Sequence, residues 1–393
     1  MIVEADESGA GMTSVAEDAG SAGSSAAFAP RSEVGSSEAS APRNEAGGSA
    51  ASVPRIALGT RRSPSMAHVA ERAGVSSQTV SRVANGHSNV DARTRERVRA
   101  AMDELGYRPN SAARALKTGK FRSIGVIMFT LSTFGNARTL DAIATSSAEA
   151  GYTITLMPIV TATQGEVSGA FTRLAEQAVD GIVIIIEAHT LDSSEIRLPS
   201  GIPVVIVDSD AGDRYTVVDA DQAQGARLAT EYLLWLGHRT VFHITGPRQS
   251  FSAARRTDSW RATLERAGAV VPEPLEGDWT VGSGYKHGLT LAADPEVTAI
   301  FASNDQMALG VLRALHEQKR EVPGDVSVVG FDDMAEASSF WPPLTTVHQD
   351  FGEVGRRCIA TLLHEIDGDG HIAGTSIIPT ELVIRESTAP PRR

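Results

Sequence analysis

Residues 69–85 read Val69-Ala-Glu-Arg-Ala-Gly-Val-Ser-Ser-Gln-Thr-Val-Ser-Arg-Val-Ala-Asn85, and this stretch decides how the N-terminal part of the chain folds. A helix is predicted over residues 66–73, where a serine can cap its start and Gly74 can end it. A tight turn follows, and a second helix is predicted over residues 77–85, ending at Gly86. Two short helices joined by a glycine turn are typical of a helix-turn-helix unit.

A third helix completes this module. It is predicted to run from its N-cap Asp91 to Gly106, because Val98, Met102 and Leu105 are spaced by three and four residues.

The second predicted helix carries side chains that suit DNA. Ser77, Gln78 and Arg82 lie at its start and on its outer face, while Val80 and Val83 can face inward. In helix-turn-helix proteins this part of the second helix meets base edges in the major groove, where Gln suits adenine and Arg suits guanine. The alternative is a generic three-helix bundle with a solvated basic face. The placement of these side chains favours DNA binding.

The charge distribution agrees with a small basic module joined to a large acidic one. The whole chain of 393 residues has a net charge of −12, but residues 61–122 hold 13 basic and 5 acidic side chains. Residues 1–60 carry a net charge of −5, and residues 123–393 a net charge of −15. Such an asymmetry indicates a nucleic-acid-binding module. Four arginines of the third helix can pair with phosphates or form a solvated face: Arg93, Arg95, Arg97 and Arg99.

Residues 1–60 contain 14 Ala, 11 Ser and 8 Gly, and their large apolar residues are isolated. We expect this segment to be disordered, because it cannot bury enough surface to offset its chain entropy. It is a regulatory tail, a bland extension or the product of a start codon assigned too early, and the last two are favoured.

Several protein classes are excluded by composition. With Cys358 as the single cysteine, there can be no internal disulfide and no cysteine-rich zinc site. No aliphatic run approaches the roughly 20 residues of a membrane-spanning helix, and no secretory signal is recognisable. We expect a cytoplasmic protein without membrane contact.

From residue 122 onward, aliphatic runs alternate with helical segments. The predicted strands are Ile124–Phe129, Thr153–Met157, Gly181–Ile186, Val204–Val207, Val241–Thr245, Ala299–Ala302 and Val326–Gly330. The helices predicted between them include Thr139–Ala150, Glu166–Gln177, Ala223–Leu236, Arg256–Ala267 and Gln306–Gln318. This alternation predicts an α/β fold with parallel sheets covered on both faces. About 270 residues are too many for a domain with one simple doubly wound sheet, so we expect two lobes with a cleft between them.

No motif argues for an enzyme. The chain lacks a phosphate-binding loop, a nucleophile elbow and a zinc-binding H-E-x-x-H pattern. Its ten histidines form no spaced ligand cluster, so neither a metal nor another cofactor is expected, and His238, His243 and His348 are interpreted as surface or packing residues.

The acidic part instead carries side chains suited to binding a polyol. Four polar residues lie at strand ends or in loops after strands, where open α/β sheets bind ligands: Arg256, Asn304, Asp332 and Gln349. Two aromatic residues, Trp279 and Phe351, offer faces on which a sugar can stack. Alternatively, Asn304 or Asp332 caps a helix and Phe351 belongs to the core. On spacing alone the two interpretations are equally supported.

The sequence closely resembles the LacI/GalR family of bacterial transcription factors from about residue 65 to about residue 390. The motifs that carry the resemblance are residues 69–85, 94–98, 105–110, 304–310, 326–333 and 342–351. The resemblance implies an α/β chain with an all-α helix-turn-helix headpiece and a two-lobed, periplasmic-binding-protein-like core of doubly wound parallel sheets. The implied boundaries are a disordered extension 1–60, a headpiece 61–108, a hinge helix and linker 109–122, and a core 123–390. Lobe one would comprise about 123–221 and 350–380, and lobe two about 222–349 and 381–390.

By position, the resemblance also implies functional residues. The DNA-binding set is Ser77, Gln78, Thr79, Arg82, Asn85 and Leu116, of which Leu116 matches a hinge leucine that wedges into the minor groove. The ligand-binding set is Asp208, Arg256, Trp279, Asn304, Asp332, Gln349 and Phe351.

The implied function is a homodimeric repressor of carbohydrate-utilisation genes, released from double-stranded operator DNA by a sugar. The sugar is expected to be a galactoside or another neutral hexoside. One alternative is a regulator whose ligand strengthens DNA binding, and another is a cytoplasmic sugar-binding protein with a vestigial headpiece. No leucine-heptad tail follows the core, so a tetramer is not expected.

Overall fold

The computed structural model describes residues 64–108, 115, 119–160, 163–185, 201–209, 215–368, 370 and 374–392. The expected disordered extension and most of the expected hinge helix lie outside these residues. Within them, no helix combines the length and the apolar character that a membrane crossing requires.

The headpiece contains three helices, α1 (Met66–Ala73), α2 (Ser77–Ala84) and α3 (Ala92–Leu105). The predicted caps are confirmed. The Ser65 side chain accepts a hydrogen bond from the His68 amide, and Asp91 accepts one from the Thr94 amide. Gly74 ends α1 in the left-handed conformation, with φ 63°, which glycine adopts without strain. A small apolar core joins the helices and includes Val69, Val80, Val83, Val98 and Met102.

The core contains two sheets. The strands of the first are β1 (Ser123–Met128), β2 (Thr153–Pro158), β3 (Gly181–Ile185), β4 (Val204–Val207), β5 (Thr216–Ala220) and β11 (Gly374–Ile378). Their order is β11-β5-β4-β3-β1-β2, and the sheet is parallel throughout.

The strands of the second sheet are β6 (Phe242–Thr245), β7 (Leu275–Glu276), β8 (Ala299–Ala302), β9 (Ser327–Asp332), β10 (Thr345–His348) and β12 (Glu381–Val383). Their order is β12-β10-β9-β8-β6-β7, and the sheet is parallel except at β12.

Helices cover both sheets. Those of the first sheet, which we call lobe one, are α4 (Phe134–Glu149), α5 (Gln164–Glu176) and α10 (Phe351–Ile366). Those of the second sheet, lobe two, are α6 (Gln222–Trp235), α7 (Phe251–Arg266), α8 (Val281–Ala292) and α9 (Asp305–Glu317), with a short 3₁₀ helix at Ala335–Ser339. Separate apolar clusters fill the two sides of each sheet, as expected when a parallel sheet is buried on both faces. The predicted α/β fold class is therefore confirmed.

The chain passes between the lobes three times, from β5 to α6, from β10 to α10 and from β11 to β12. Each lobe is consequently built from separate segments of sequence. The carboxyl ends of the parallel strands of both sheets lead to the boundary between the lobes, where open α/β sheets place their ligands.

Some elements differ from the prediction. The helix expected to start at Thr139 begins at Phe134, and five strands were not predicted, namely β5, β7, β10, β11 and β12. These strands are short or interrupted by polar residues, such as Asp219 in β5, so they lack a continuous apolar run. The helix α8 was not predicted either, because Gly282, Gly284 and Gly288 weaken its helical pattern.

Candidate functional site

The outer face of α2 presents polar side chains to solvent. Ser77, Gln78 and Arg82 are exposed, while Val80 and Val83 are buried in the headpiece core, as predicted. Since α2 is held by its apolar side alone, its polar side is free to enter a groove.

Two other residues of the predicted DNA-binding set have structural contacts. Thr79 is half-buried, and its amide and hydroxyl both bond to the Ser76 side chain at the start of α2, at 3.2 and 3.0 Å. Asn85 ends α2, and its side-chain amide donates to the Ser81 carbonyl at 2.8 Å. Both residues therefore help to fix the ends of α2. Leu116 lies outside the described residues.

The arginines of α3 divide into two groups. Arg95 is half-buried and donates to the backbone carbonyls of His87, Ser88 and Val90, at 3.1 to 3.3 Å. It thereby holds the loop between α2 and α3. The other three are exposed: Arg93, Arg97 and Arg99.

A cleft lies between the two lobes. All seven residues of the predicted ligand-binding set line it: Asp208, Arg256, Trp279, Asn304, Asp332, Gln349 and Phe351. Residues of lobe one, among them Phe134 and Asn136, form its opposite wall. The structure thus brings together residues that are more than 140 positions apart in the sequence.

A buried ring of three hydrogen bonds and one ion pair forms the polar floor of this cleft. The Arg256 Nε donates to Gln222 Oε1 at 2.8 Å, and Gln222 Nε2 donates to Gln349 Oε1 at 3.0 Å. Gln349 Nε2 in turn donates to Asp332 Oδ1 at 2.7 Å, and Arg256 Nη2 lies 3.8 Å from the same oxygen. Each member fixes the next, so the donors and acceptors of the floor are held in place before any ligand arrives.

Aromatic rings frame the same arginine. The Arg256 guanidinium carbon lies 3.7 Å from the centroid of the Phe331 ring and 5.5 Å from that of the Trp279 ring. Trp279 has a positive φ of 69°, and its indole packs against Gly246, where an added Cβ would lie 2.3 Å from the ring. Gly246 is therefore required for Trp279 to lie at the cleft.

Asn304 both caps a helix and borders the cleft. Its Oδ1 accepts a hydrogen bond from the Met307 amide at the start of α9, at 2.8 Å, and its Nδ2 donates to the Trp279 carbonyl at 3.0 Å. The predicted alternative, a capping role, is thus confirmed for this residue. The same side chain also fixes the backbone of Trp279.

Two aspartates of the cleft have an unusual backbone conformation. Asp332 has a φ of 108° and Asp208 a φ of 56°. Positive φ angles cost free energy in residues other than glycine, and residues with such strained backbones cluster at functional sites. Burial raises the pKa of Asp332 to about 6, although the charge of Arg256 and the hydrogen bond from Gln349 oppose this shift. Because this pKa lies near neutral pH, a ligand that binds beside Asp332 can change the protonation state of its carboxyl group.

Three residues of the site were not found from the sequence: Asp219, Gln222 and Arg255. Arg255, on α7 of lobe two, is paired with Asp219 of lobe one and donates to the Ser209 carbonyl at 2.8 Å. This interlobe bridge joins the two halves of the core beside the cleft. Burial raises the pKa of Asp219 to about 6, while Arg255 opposes the rise. Recognition of β5 would have revealed Asp219 and Gln222, because both stand at its carboxyl end.

The three singled-out histidines pack as predicted. His238 and His243 are buried, and burial lowers the pKa of His243 to about 3. His348 is half-buried and lies 3.0 Å from Asp333. Among the described residues, no group of His, Cys, Asp and Glu side chains is arranged to hold a metal ion.

Two family models match the sequence. The model for "Bacterial regulatory proteins, lacI family" matches residues 65–110, which contain the headpiece. The model for "Periplasmic binding protein-like domain" matches residues 230–388.

Similar proteins align over most of the chain. The lactose operon repressor of Escherichia coli K12 is 34% identical over 325 residues, covering 82% of this chain and 90% of the relative. The transcriptional regulator CelR of Thermobifida fusca is 34% identical over 339 residues, covering 83% and 99%. The solved structure of the lac repressor bound to ONPG in the repressed state is 34% identical, with a TM-score of 0.75 and coverage of 83% and 99%. A CelR–cellobiose complex is 31% identical, with a TM-score of 0.62 and coverage of 82% and 99%.

These relatives are regulators rather than enzymes. Their similarity extends over both the headpiece and the lobed core. The chain therefore belongs to the LacI family of DNA-binding bacterial regulatory proteins.

Proposed function

We propose that this regulator is a homodimeric repressor that reads its operator with α2 and responds to a neutral sugar bound between the lobes. The observation that carries the proposal is the preorganised polar ring of Arg256, Gln222, Gln349 and Asp332 beneath Trp279. Guanidinium, amide and carboxylate groups match the donors and acceptors of neighbouring hydroxyls, and an aromatic face suits the C–H face of a sugar ring.

The relatives support a sugar as the effector class. One relative is the repressor of a lactose operon, another represses a ribose operon, and a third was solved with cellobiose. Within this class we propose a hexoside and, as its most specific form, a galactoside.

We propose that the DNA contacts are divided by role. Ser77, Gln78 and Arg82 read base edges, whereas Thr79 and Asn85 hold α2 in shape, and the exposed arginines of α3 bind phosphates. Leu116 is proposed as the minor-groove wedge on the family resemblance alone.

The proposed coupling depends on the lobe boundary. The cleft is lined by both lobes, so a sugar that contacts both favours one lobe arrangement over another. The sugar's affinities for the two lobe arrangements then differ, and this difference sets the free energy that is available to change operator binding. We propose that the sugar weakens operator binding, as in an inducible repressor.

A dimer follows from the operator geometry of helix-turn-helix proteins, which pair two headpieces with two half-sites. A dimeric lac repressor bound to operator is among the similar structures. We propose the same assembly for this chain.

The test is a titration of the purified protein on its own upstream DNA at fixed salt, with and without galactosides and glucosides. We expect one sugar to weaken operator binding at least 10-fold. If a sugar strengthens operator binding, the proposed direction of the effect is wrong and the sugar is a co-repressor. DNA binding that no sugar changes would refute the proposed effector class.

A matched pair of headpiece variants tests the proposed reading face. Arg82→Ala should lower operator affinity about 5- to 150-fold, since a base contact of this kind contributes about 1–3 kcal/mol, and should leave sugar binding unchanged. The control is Arg72→Ala, which removes an exposed arginine of α1 that pairs with Glu104. Equal losses in both variants would contradict the assignment of Arg82.

A further inference from the structure

Asp305 is a buried acid that has no part in the polar ring of the cleft. It is the first residue of α9, directly after the cap Asn304, and it is only 1% exposed. One of its carboxyl oxygens accepts a hydrogen bond from the Met334 amide at 2.8 Å, and the other is bonded to the Thr346 hydroxyl. The carboxyl group therefore joins α9 to β10 and to the loop that follows β9.

The same carboxyl group packs directly on the backbone of β9. A Cβ added at Gly330 would lie 2.2 Å from Asp305 Oδ1, which is too close for any side-chain atom. Gly330 is paired with Thr346 in the ladder between β9 and β10. The missing side chain at residue 330 thus leaves the space that the carboxyl group occupies.

The loop held by Asp305 carries Asp332. Its backbone has a positive φ at two consecutive residues, 108° at Asp332 and 52° at Asp333. Such conformations are unfavourable for residues other than glycine and persist only where the surrounding structure holds them. The next residue is Met334, whose amide donates to Asp305. Asp305 therefore binds the chain directly after its strained residues.

This turn directs two acidic side chains to different partners. Asp332 accepts a hydrogen bond from Gln349 in the floor of the cleft at 2.7 Å. Asp333 is bound by Arg385 at 2.6 Å and by His348 at 3.0 Å. A turn that relaxed to ordinary φ angles would rotate Asp332 away from its place in the polar ring.

Asn304 acts on a second loop in the same way. Its Nδ2 donates to the carbonyl of Trp279, which also has a positive φ, of 69°. Two consecutive residues at the start of α9 thus hold the two strained loops that bring Trp279 and Asp332 to the cleft.

A negative charge at Asp305 is unfavourable. Burial, together with the charges of Asp332 and Asp333, raises the pKa of Asp305 well above its ordinary value. A neutral amide of the same shape therefore suits this position.

We propose that Asp305 is a positioning residue of the effector site, which holds the strained Asp332 turn through its hydrogen bond to Met334. Asp305 does not line the cleft, so it acts through Asp332 and not by touching the effector. The inference goes beyond the proposed function, and only its sugar-binding test rests on that function.

The first experiment needs no sugar. Carbon-13 NMR of the full chain with labelled aspartate follows the titration of the Asp332 carboxyl group, whose signal is assigned by its loss in Asp332→Asn. The pKa of Asp332 is about 6. Asp305→Asn should keep this value, because its amide can accept from Met334 and donate to the Thr346 hydroxyl. Asp305→Ala should lower the pKa of Asp332 toward 3.8, because the relaxed turn exposes the carboxyl group to water.

The two variants are matched in charge. Both remove the ionisable group of Asp305, so a difference between them reports the position of Asp332 and not the loss of a neighbouring charge. Arg256 and Asp333 also lie beside Asp332, and both variants leave them unchanged. Thr346→Val is a milder variant, since it keeps the carboxyl group and removes one of its hydrogen bonds. It should shift the pKa of Asp332 in the same direction by a smaller amount.

Sugar binding then tests the consequence, by calorimetry with methyl β-galactoside and methyl β-glucoside. Asp305→Ala should bind the sugar at least about 10-fold more weakly than the wild type, because the floor loses an ordered acceptor. Asp305→Asn should stay within about 3-fold of the wild type, because it keeps the hydrogen bond to Met334.

The control is Ser387→Ala, which removes another buried side chain of lobe two. The Ser387 hydroxyl accepts from the Thr345 amide at 2.8 Å and donates to the Val328 carbonyl at 2.6 Å. This variant should lower the free energy of unfolding and leave both the pKa of Asp332 and the sugar affinity unchanged.

Two results would overturn the positioning role: a pKa of Asp332 that stays at about 6 in Asp305→Ala, or equal changes in Asp305→Asn and Asp305→Ala. If the wild type binds neither sugar, the proposed effector class fails, and the NMR titration alone decides the role of Asp305.

Discussion

At the scale of single residues, Asp332 connects the chemistry of the cleft to pH. Its pKa of about 6 lies above the ordinary value of 3.8, because burial disfavours the carboxylate. The folded protein therefore binds this proton more tightly than the unfolded chain. The contribution of Asp332 to the free energy of unfolding is greatest below about pH 4 and is lost as the pH rises through about 6. The carboxylate form is the one that can accept hydroxyl hydrogen bonds with both oxygens.

Sugar affinity should consequently fall on acidification. The ionised fraction of a group with a pKa of about 6 drops about 10-fold between pH 7 and pH 5, and we expect the affinity for the sugar to drop by a similar factor. Calorimetric titration at the two pH values measures it.

Two variants identify the responsible carboxyl group, since Asp219 has a similar pKa. Asp332→Asn should bind the sugar weakly at both pH values and lose the pH dependence. Asp219→Asn should retain the dependence. The opposite pattern would move the role to Asp219.

The sequence predicted much of the ligand site at this scale. The family resemblance implied all seven cleft residues by position, and it was the only ground for Asp208. Arg256 was expected at a strand end or in a loop, but it lies within the helix α7. Gln222 and Arg255 were not predicted, since their roles depend on which strands and lobes become neighbours. Asn304 had two competing interpretations, and its geometry supports capping together with a place at the cleft.

At the scale of elements, the contact between α8 and α9 depends on glycine. An added Cβ at Gly284 would lie 2.1 Å from the Met307 carbonyl oxygen, and one at Gly310 would lie 2.1 Å from the Val281 carbonyl oxygen. The two backbones approach so closely that neither position has room for a methyl group. The glycines that obscured α8 in the sequence are thus what allows it to pack.

A pair of alanine variants in α8 tests this contact. Gly284→Ala should lower the free energy of unfolding by about 1–3 kcal/mol, because the two helices must move apart to make room for the methyl group. In Gly282→Ala the added Cβ would lie 3.6 Å from its nearest neighbour, the Thr280 hydroxyl oxygen, which is an ordinary contact. This variant should have an unchanged free energy of unfolding or one that is higher by up to about 1 kcal/mol. Urea denaturation of both variants gives the comparison. Similar stabilities would show that α8 and α9 can move apart without cost.

Elements were predictable where local chemistry determines them. The caps at Ser65 and Asp91 and the glycine ends of α1 and α3 are local signals, so the headpiece followed from the sequence. The strands β10 and β12 form because neighbouring strands provide hydrogen-bond partners, and this requirement is not visible in a short polar run.

At the scale of the whole molecule, lobe two exposes several large apolar side chains. Trp341 is 93% exposed and borders a groove that Pro342 lines together with charged residues such as Lys319 and Glu321. Leu309 on α9 and Val281 on α8 are each 37% exposed. We propose that a second copy of the chain covers Trp341 in the dimer, since tryptophan is enriched at protein interfaces.

Trp341→Asp should therefore shift the protein toward monomer in sedimentation velocity at micromolar concentration. Operator affinity should fall at least 10-fold with it, because one headpiece reaches only one half-site. The control is Trp235→Asp, which changes another exposed tryptophan, 77% exposed and stacked on Tyr232. Dissociation of the Trp235 variant instead would place the interface on α6.

The three crossings between the lobes also set an order of events during synthesis. The headpiece is one continuous segment and can fold as soon as residue 108 has left the ribosome. Lobe one needs α10 and β11, so its sheet cannot be completed before residue 378 has been made. At roughly 5–20 residues per second the interval lasts roughly 15–50 s. During that time a nascent chain carries a complete headpiece joined to an incomplete core, and a fragment that ends before β11 never completes the sheet of lobe one.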